Sequence, residues 1–324
     1  PHGASVCDYA SLTVEVLSNS GEKGMAVKLY QYLTEITPSA IGESFKIIAA
    51  NALCWLGRYN EALTILQSMT ENSKTLITQG ACYKALCSYS EAEERLLSAL
   101  QILCNKSSHE DITDYYGNSL PTVTCFQHQK KFINIMALTP EQRLHVINSF
   151  TLPSTTASIA LYLATVYYGQ DHLNLALSYC SNVIKVIEFT DSFFADMIVA
   201  HSLMGRILTK MRHYVKAEEH YTNTVNIAHL STSPSGQGQI LEEISNFFLT
   251  QKKYLEAEKF CINSLAKWTK LRNESATKNL HFPILTLRSQ LGICYAQVDI
   301  RHLYQGEELL CGVLNNLQLL SSVD

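Results

Sequence analysis

Clustered glutamates are the most frequent candidates for acid–base chemistry in this sequence. Glu91, Glu93 and Glu94 stand within four residues. Adjacent pairs recur at Glu218-Glu219, Glu242-Glu243 and Glu307-Glu308. Two carboxylates share acid–base work when they face each other in one site. Neighbouring residues of a helix point in different directions, so these pairs do not meet that condition. We interpret the glutamates, including Glu93 and Glu218, as the solvated face of helices.

Cysteines and histidines also lack the spacing of a catalytic or metal site. The 10 cysteines spread along the chain without a CxxC pair or a zinc-type cysteine–histidine group. The 11 histidines do not cluster, and no HExxH motif or phosphate-binding glycine motif occurs. We therefore predict packing roles for the cysteines, no catalytic residue, no metal and no cofactor. The protein is predicted not to be an enzyme, and its free thiols favour the cytoplasm, with the nucleus as an alternative.

Charge and composition limit the fold classes and the kinds of binding partner that the sequence is expected to have. The net charge is −4 with no run of basic residues, which argues against a nucleic-acid partner. No apolar run reaches the length of about 18 residues that a membrane helix needs. Only 14 glycines and 7 prolines occur in 324 residues, which favours helices over many-turned sheets. The chain begins Pro1-His2-Gly3, so we expect an engineered start or a piece of a longer protein.

Five segments repeat one pattern of small and apolar residues in a fixed register. Each has an alanine that follows a tyrosine, or once a leucine, by three residues: Ala62, Ala92, Ala176, Ala217 and Ala257. Twelve residues before each alanine stands a small residue: Ala50, Gly80, Ala164, Gly205 and Ser245. We call these the alanine position and the small position. Apolar residues recur around both at helical spacing, which predicts two helices per segment.

Two further segments keep part of the same pattern. Near the start Val14, Leu17, Ala26 and Tyr30 fit, with Lys23 where tyrosine is expected. Near the end, residues 291–297 open a unit that Gly306 and Leu310 continue after two extra residues. The pattern has a physical basis, because small residues let two helices approach closely. One such hairpin cannot bury its apolar face alone, so neighbouring hairpins must stack.

This pattern resembles the tetratricopeptide repeat (TPR), most closely at residues 56–63 and 89–100. The resemblance covers residues 11–104 and 155–318. The longer units around Ala176, Ala217 and Ala257 resemble kinesin-light-chain-type TPRs, with alanines 41 and 40 residues apart. The resemblance implies an all-α fold, an α-solenoid forming a right-handed superhelix of about 6–7 TPR-like helical hairpins. It places N-terminal repeats in residues 1–104 and C-terminal repeats in residues 154–324.

The segment 105–153 interrupts the repeats. Residues 104–122 are polar and turn-rich, which predicts a loop, and residues 125–138 are apolar enough for a helix. A second helix is predicted in residues 139–150, with Thr139 as its cap, Pro140 at its first position and Gln142 three residues after the cap. The segment is either an insertion with two helices or a degraded repeat, and we favour the insertion.

The resemblance implies that the first helix of each hairpin lines a concave groove. The register predicts that this groove is lined by Asn51, Trp55, Lys84, Thr165, Tyr168, Arg206, Lys210, Glu242 and Asn246. The same register adds Leu161 and Ser202. Arg206 and Lys210 stand one turn apart and are predicted to receive an acidic group. The asparagines are suited to bond a peptide backbone.

These observations favour a non-enzymatic scaffold or adaptor that binds a peptide segment or partner subunit in its groove. The alternative is a constitutive structural subunit of a large multiprotein complex, which contacts its neighbours through its convex face and residues 105–153. Binding of a chaperone C-terminal carboxylate is disfavoured, because Ile47 and Thr78 stand where lysine and asparagine are wanted.

Overall fold

The computed structural model describes residues 23–36, 42–107, 134–148, 153–187, 194–231, 234–274, 281–298 and 300–321. Within these ranges the chain is helical, with short turns between helices and no strand. The predicted all-α fold is therefore confirmed. The chain divides into two compact units, Pro1–Val186 and Ile187–Asp324. The division into repeats and an insertion that the sequence predicts stays a prediction.

The first unit contains most of the shorter helices. Its described helices are α1 (Lys23–Ile36), α2 (Glu43–Trp55), α3 (Tyr59–Gln67), α4 (Ser73–Ala85), α5 (Tyr89–Ser107), α6 (Pro140–Asn148), α7 (Pro153–Gly169) and α8 (Leu173–Ile187). A single 3-10 turn, Ile135–Ala137, precedes α6. The pairs α2/α3, α4/α5 and α7/α8 are the hairpins that the register predicts in this unit.

The second unit contains six described helices in three hairpins. They are α9 (Phe194–Lys210), α10 (Tyr214–Ser231), α11 (Pro234–Thr250), α12 (Tyr254–Glu274), α13 (His281–Val298) and α14 (Ile300–Ser321). The two members of each pair, α9/α10, α11/α12 and α13/α14, pack along each other, and α12 also packs on α13. Successive hairpins of this unit therefore stack, as a repeat array requires.

The small and alanine positions form the seam inside each hairpin. All ten of these residues are buried. A Cβ atom added to Gly205 would lie 2.7 Å from the ring of Tyr221, and one added to Gly80 would lie 2.8 Å from Cγ of Leu96. These contacts join the first helix to the second, so a larger side chain at the small position would separate them. The structure confirms the predicted register.

The degraded repeats at both ends also take part in the stack. In the first unit, Ala26 and Tyr30 of α1 are buried, and the Tyr30 ring lies 5.5 Å from that of Phe45. In the last hairpin a Cβ atom on Gly306 would lie 2.8 Å from the carbonyl oxygen of Gly292. Glycine on both helices permits this close crossing. Val14 and Leu17 lie outside the described residues.

One type of turn joins the two helices in five of the described hairpins. Each turn has one residue in the left-handed region, with φ between 60° and 77°: Gly57, Cys87, Asp171, Arg212 and Lys252. The next amide donates to a carbonyl five residues earlier, as from Arg58 to Leu53 at 2.9 Å. This is the Schellman ending of a helix, in which glycine is usual at the left-handed position. Four of the five turns here place a side chain there instead.

The segment before α7 matches its prediction in part. The Thr139 amide donates to Gln142 Oε1 at 2.9 Å, and the Gln142 amide donates to Thr139 Oγ1 at 3.3 Å, so the predicted capping box is confirmed. The prediction of a helix over residues 125–138 is wrong at its C-terminal end, where the chain forms a 3-10 turn at Ile135–Ala137. Leu138 is extended ahead of the cap of α6, which breaks the helix there. Residues 125–133 lie outside the described residues.

The glutamate after the alanine position in α5 is not on a solvated face. Glu93 Oε1 accepts hydrogen bonds from Arg143 Nη1 at 2.9 Å and from the Tyr167 hydroxyl at 3.1 Å. Only 24% of the Glu93 side chain and 10% of the Arg143 side chain are exposed. The solvated interpretation is therefore wrong for Glu93, because α6 and α7 contribute partners to that side of α5. It holds for Glu91 and Glu94, which are exposed. It is wrong for Glu243, which accepts from Ser202 Oγ on the preceding first helix and is only 29% exposed.

Candidate functional site

Side-chain hydrogen bonds join the first helices of the second unit. Ser202 Oγ on α9 donates to Glu243 Oε2 on α11 at 2.9 Å. Gln290 Nε2 on α13 donates to Asn246 Oδ1 on α11 at 2.9 Å. The three first helices are therefore neighbours with polar contacts between them. We call the set Ser202, Arg206, Lys210, Glu242, Glu243, Asn246 and Gln290 the polar row.

Cations and carboxylates stand side by side in the polar row. Arg206, Lys210 and Asn246 are exposed, and Glu242 is half-buried. Nε of Arg206 lies 3.9 Å from Glu243 Oε1, and the Tyr221 hydroxyl lies 3.5 Å from the same oxygen. The row therefore offers a carboxylate beside an exposed guanidinium.

Burial changes the acidity of both glutamates in the row. It raises the pKa of Glu243, while Arg206 and the hydroxyls of Ser202 and Tyr221 oppose that rise. Burial also raises the pKa of Glu242. A carboxylate that has lost part of its hydration gains from an additional hydrogen-bond donor. The row can thus attract donors at its glutamates and acceptors at its exposed cations.

Sequence reasoning did not include Glu243 and Gln290 in the lining, although the register contains their signal. Both stand two residues before a small residue, Glu243 before Ser245 and Gln290 before Gly292. Each side chain bonds the first helix of the preceding hairpin. The position two before the small residue is therefore where successive first helices meet, and polar residues there indicate a bond between hairpins.

In the first unit, too, the residue two positions before the small residue contacts the preceding first helix. Tyr162 stands two residues before Ala164 on α7, and the Lys84 ammonium on α4 lies 5.9 Å from the centre of its ring. This is the distance at which an ammonium begins to be attracted by an aromatic face. The contact joins the first helices of neighbouring hairpins. Of its two residues, the register predicted only Lys84 as part of the lining.

The remaining lining residues predicted in the first unit occupy different environments. Asn51 is exposed, and Tyr168 is half-buried. The Thr165 hydroxyl donates to the carbonyl oxygens of Leu161 and Tyr162, both at 2.8 Å, so its hydrogen is used within its own helix. Leu161 is buried in the core and does not line an open surface. The side chain of Trp55 lies outside the described residues.

Two histidines that are far apart in sequence meet in the second unit. Nδ1 of His201 lies 2.8 Å from Nδ1 of His220, and the ring centres are 5.1 Å apart. The prediction that the histidines do not cluster is wrong for this pair. Burial, followed by the neighbouring imidazole, lowers the pKa of His201 to about 4, and burial lowers the pKa of His220. Helix packing brings the pair together, because His201 is on α9 and His220 is on α10.

The described part of the chain contains no group of three or more histidine, cysteine, aspartate or glutamate side chains placed to hold a metal ion. Among the described helices, none combines the length and hydropathy that a membrane span requires.

Comparison with known proteins gives structural likeness without sequence likeness. No protein-family model matches the chain, and no curated protein matches it. BtubC (BKLC) from P. vanneervenii is 11% identical, with a TM-score of 0.47 over 95% of this chain and 92% of that one. A signal transduction ATPase (STAND) protein with a tetratricopeptide repeat sensor from Pyrococcus horikoshii is 14% identical, also with a TM-score of 0.47.

That second match covers 96% of this chain, which spans only 48% of the STAND protein. The TPR2AB domain of yeast Sti1, solved as a complex with pHSP90, is 13% identical with a TM-score of 0.32, and the match covers 88% of this chain and 99% of that one. The helical hairpins of this chain have small and alanine positions in one register and share one type of turn. The chain therefore has a TPR-like fold, an all-α array of helical hairpins.

Proposed function

We propose that this protein is a non-enzymatic scaffold or adaptor that binds an extended peptide segment of a partner protein along the polar row. The observation that carries the proposal is the placement of exposed cations on α9 beside poorly solvated carboxylates on α11, two first helices that are bonded to each other. Arg206 and Lys210 are exposed on α9, and Glu242 and Glu243 follow on α11. An extended peptide backbone suits such a surface because each residue offers one donor to a carboxylate and one acceptor to a cation.

The polar row predicts features of the bound segment. Arg206 and Lys210 favour a carboxylate side chain, since charge-assisted hydrogen bonds are the stronger class. Asn246 already accepts from Gln290 through Oδ1, and its amide nitrogen is suited to a peptide carbonyl. We expect an acidic residue opposite α9 and backbone contacts opposite α11. In the first unit we propose that Asn51, Lys84, Thr165 and Tyr168, with Trp55, contribute to partner binding in the same manner.

The test reverses charge in the polar row after a partner has been identified by affinity purification and mass spectrometry. Arg206→Glu with Lys210→Glu is expected to weaken binding of the purified partner segment at least about tenfold, because two charge-assisted contacts become repulsive. Fluorescence anisotropy with a labelled segment measures the affinity. Helicity and melting temperature should stay near those of the unmodified protein.

A matched control separates local contacts from overall charge. Lys216→Glu with Lys259→Glu makes the same change in net charge at exposed positions on the second helices α10 and α12. We expect this control to bind like the unmodified protein. If both double variants bind with the original affinity, the polar row is not the binding surface. If both lose affinity equally, the effect is one of net charge and the assignment to the row is also wrong.

A further inference from the structure

Two cysteine thiols from neighbouring hairpins lie in contact in the first unit. The Sγ atoms of Cys54 and Cys82 are 3.0 Å apart, although 28 residues separate them in sequence. Cys54 is on α2 and Cys82 is on α4, the first helices of consecutive hairpins. The sequence predicts packing roles for the cysteines and does not indicate that Cys54 and Cys82 touch.

The two thiols differ in their access to solvent. Cys54 is half-buried, whereas Cys82 has no exposed surface. Both border the core formed by α1 to α4. A reagent from solvent therefore reaches Cys54 first, while Cys82 is placed behind it to react second. An accessible thiol with a second thiol in contact is the arrangement of an attacking and a resolving cysteine.

Hydrogen bonding separates the thiols in acidity as well. The bond from Cys82 lowers the pKa of Cys54, because it stabilises the thiolate of that residue. The same contact, followed by burial, raises the pKa of Cys82. The thiolate is the nucleophile in cysteine oxidation. Exposure and acidity thus select the same residue, Cys54, as the one that reacts first.

We propose that Cys54 and Cys82 form an oxidisable pair, in which a hydroperoxide converts the two thiols into a disulfide that joins α2 to α4. The Cys54 thiolate attacks one oxygen of the hydroperoxide. An S–O bond forms, the O–O bond breaks, and hydroxide leaves when the oxidant is hydrogen peroxide. Cys54 is then a sulfenic acid.

The second step closes the disulfide. The Cys82 sulfur attacks the Cys54 sulfur, the S–S bond forms, and the S–O bond breaks. The proton of Cys82 leaves with the departing hydroxide as water. In total two thiols and one hydrogen peroxide give one disulfide and two waters, so the sulfurs lose two electrons and the peroxide gains them. A disulfide needs sulfurs about 2.05 Å apart, so they must approach by about 1 Å.

Peptide mapping of the intact chain tests the pair directly. Trypsin releases Cys54 in residues 47–58 and Cys82 in residues 75–84, and each peptide has a single cysteine. The folded protein is treated with hydrogen peroxide, remaining thiols are alkylated, and the digest is analysed by mass spectrometry without reductant. We expect these two peptides joined, with the loss of two hydrogens. Reduction before digestion should separate them.

Cys87 is the internal comparison, because it is exposed and its tryptic peptide, residues 85–95, also has one cysteine. The proposal is overturned if peroxide oxidises Cys87 while the Cys54–Cys82 link stays absent. It is overturned as well if Cys54 links to Cys87 as readily as to Cys82. Oxidation in concentrated urea should abolish the preference for Cys82, since the contact depends on the fold.

Two single variants resolve the order of events. In Cys82→Ser, peroxide should leave Cys54 as a sulfenic acid that a dimedone probe traps, with no linked peptide. In Cys54→Ser, Cys82 should resist the probe because it is buried. Equal trapping of Cys82 in this variant would contradict the assigned order. The oxidised wild-type chain should also melt at a higher temperature than the reduced one, a shift that Cys82→Ser lacks.

Discussion

Glu93 lies at the centre of a polar cluster that joins three helices of the first unit. It accepts from Arg143 on α6 and from Tyr167 on α7, and Arg143 Nε also donates to the Ile135 carbonyl at 3.2 Å. Nearby, the Tyr179 hydroxyl donates to the Pro140 carbonyl at 2.8 Å. The cluster attaches the segment around α6 to the neighbouring repeats. Burial, followed by the charge of Glu93, raises the pKa of Tyr167 to about 12, so this hydroxyl keeps its proton and donates.

Removing the charge of Glu93 should therefore destabilise the first unit. We expect Glu93→Gln to lower the free energy of unfolding by about 1–3 kcal/mol, because it leaves the nearly buried Arg143 without its carboxylate. Urea unfolding followed by circular dichroism measures the change. The neighbouring Glu94→Gln is the control and should change stability by less than about 0.5 kcal/mol, since Glu94 is exposed. Equal effects of the two changes would contradict the role of the cluster.

Burial of the His201–His220 pair should make the second unit sensitive to acid. The pKa of His201 is lowered to about 4, and that of His220 is lowered too, although Glu219 opposes the shift at His220. An unfolded histidine has a pKa of about 6.5. Above that value both states are neutral, and the full stability is present. As the pH falls from about 6.5 towards 4 the unfolded state binds more protons, so stability is lost.

The expected result is a decline in unfolding free energy between pH 7.5 and 4.5 that depends on this pair. Each tenfold loss of proton affinity on folding lowers the unfolding free energy by about 1.4 kcal/mol once the pH is below the pKa values of both the folded and the unfolded state. Urea titrations at several pH values measure the slope. His201→Gln with His220→Gln should flatten it. His213→Gln, at an exposed histidine near the same helices, should leave it unchanged. A slope that survives the double change would show that other groups cause it.

At the scale of elements, the shared hairpin turn has a residual strain. Arg212 and Lys252 have φ values of 63° and 60°, in the left-handed region that disfavours residues with a Cβ by about 1–2 kcal/mol. Gly57 takes the same position in the α2/α3 turn without this penalty. The spacing of apolar residues predicts the hairpins. It does not predict the left-handed residue of the turn, because that position is occupied by five different residue types.

Glycine should therefore stabilise the turns that lack it. We expect Arg212→Gly and Lys252→Gly each to raise the unfolding free energy by about 0.5–1 kcal/mol. This gain is the strain that glycine relieves in the turn, reduced by the extra conformational entropy that glycine gives to the unfolded chain. Gly57→Ala should lower it by about 1 kcal/mol. Thermal and urea unfolding measure these changes. Arg212→Ala keeps the Cβ and is the control, so a gain equal to that of glycine would assign the effect to the lost side chain.

At the scale of the whole molecule, residues 108–122 distinguish the two functional hypotheses. Described residues on either side of them hold the neighbouring segment: the Ile135 amide donates to Gln101 Oε1 at 2.8 Å, and Arg143 bonds Glu93. We expect deletion of 108–122 to leave the melting temperature and the helicity of the remaining residues unchanged, as measured by circular dichroism.

The same deletion should keep partner binding if the polar row is the binding surface. Affinity for the purified partner, measured beside the charge-reversed variant, gives the result. Loss of binding by a deleted chain that still folds would instead favour the structural-subunit hypothesis, in which residues 105–153 contact neighbours. The stability measurement separates that outcome from simple unfolding.

Packing within each hairpin follows from the sequence alone. The two helices of a hairpin are close in sequence, and the seam between them consists of the small and alanine positions, so residue spacing is enough to predict them. Spacing therefore assigns Ala50 and Ala62, or Gly205 and Tyr221, to buried positions. The same spacing predicts the capping box of α6, because a cap depends on residues within a single turn.

Contacts between helices far apart in sequence depend on the tertiary structure. Glu93 meets Arg143 across 50 residues, Ser202 meets Glu243 across 41, and Cys54 meets Cys82 across 28. Which side chains touch depends on how each helix is rotated against the next, and one residue along a helix turns the direction by about 100°. Stacking of hairpins sets that rotation. The polar row and the thiol pair therefore arise from packing between hairpins, while the hairpins themselves arise from spacing within the sequence. The histidine pair lies inside the hairpin α9/α10, where the rotation of the two helices brings the rings into contact.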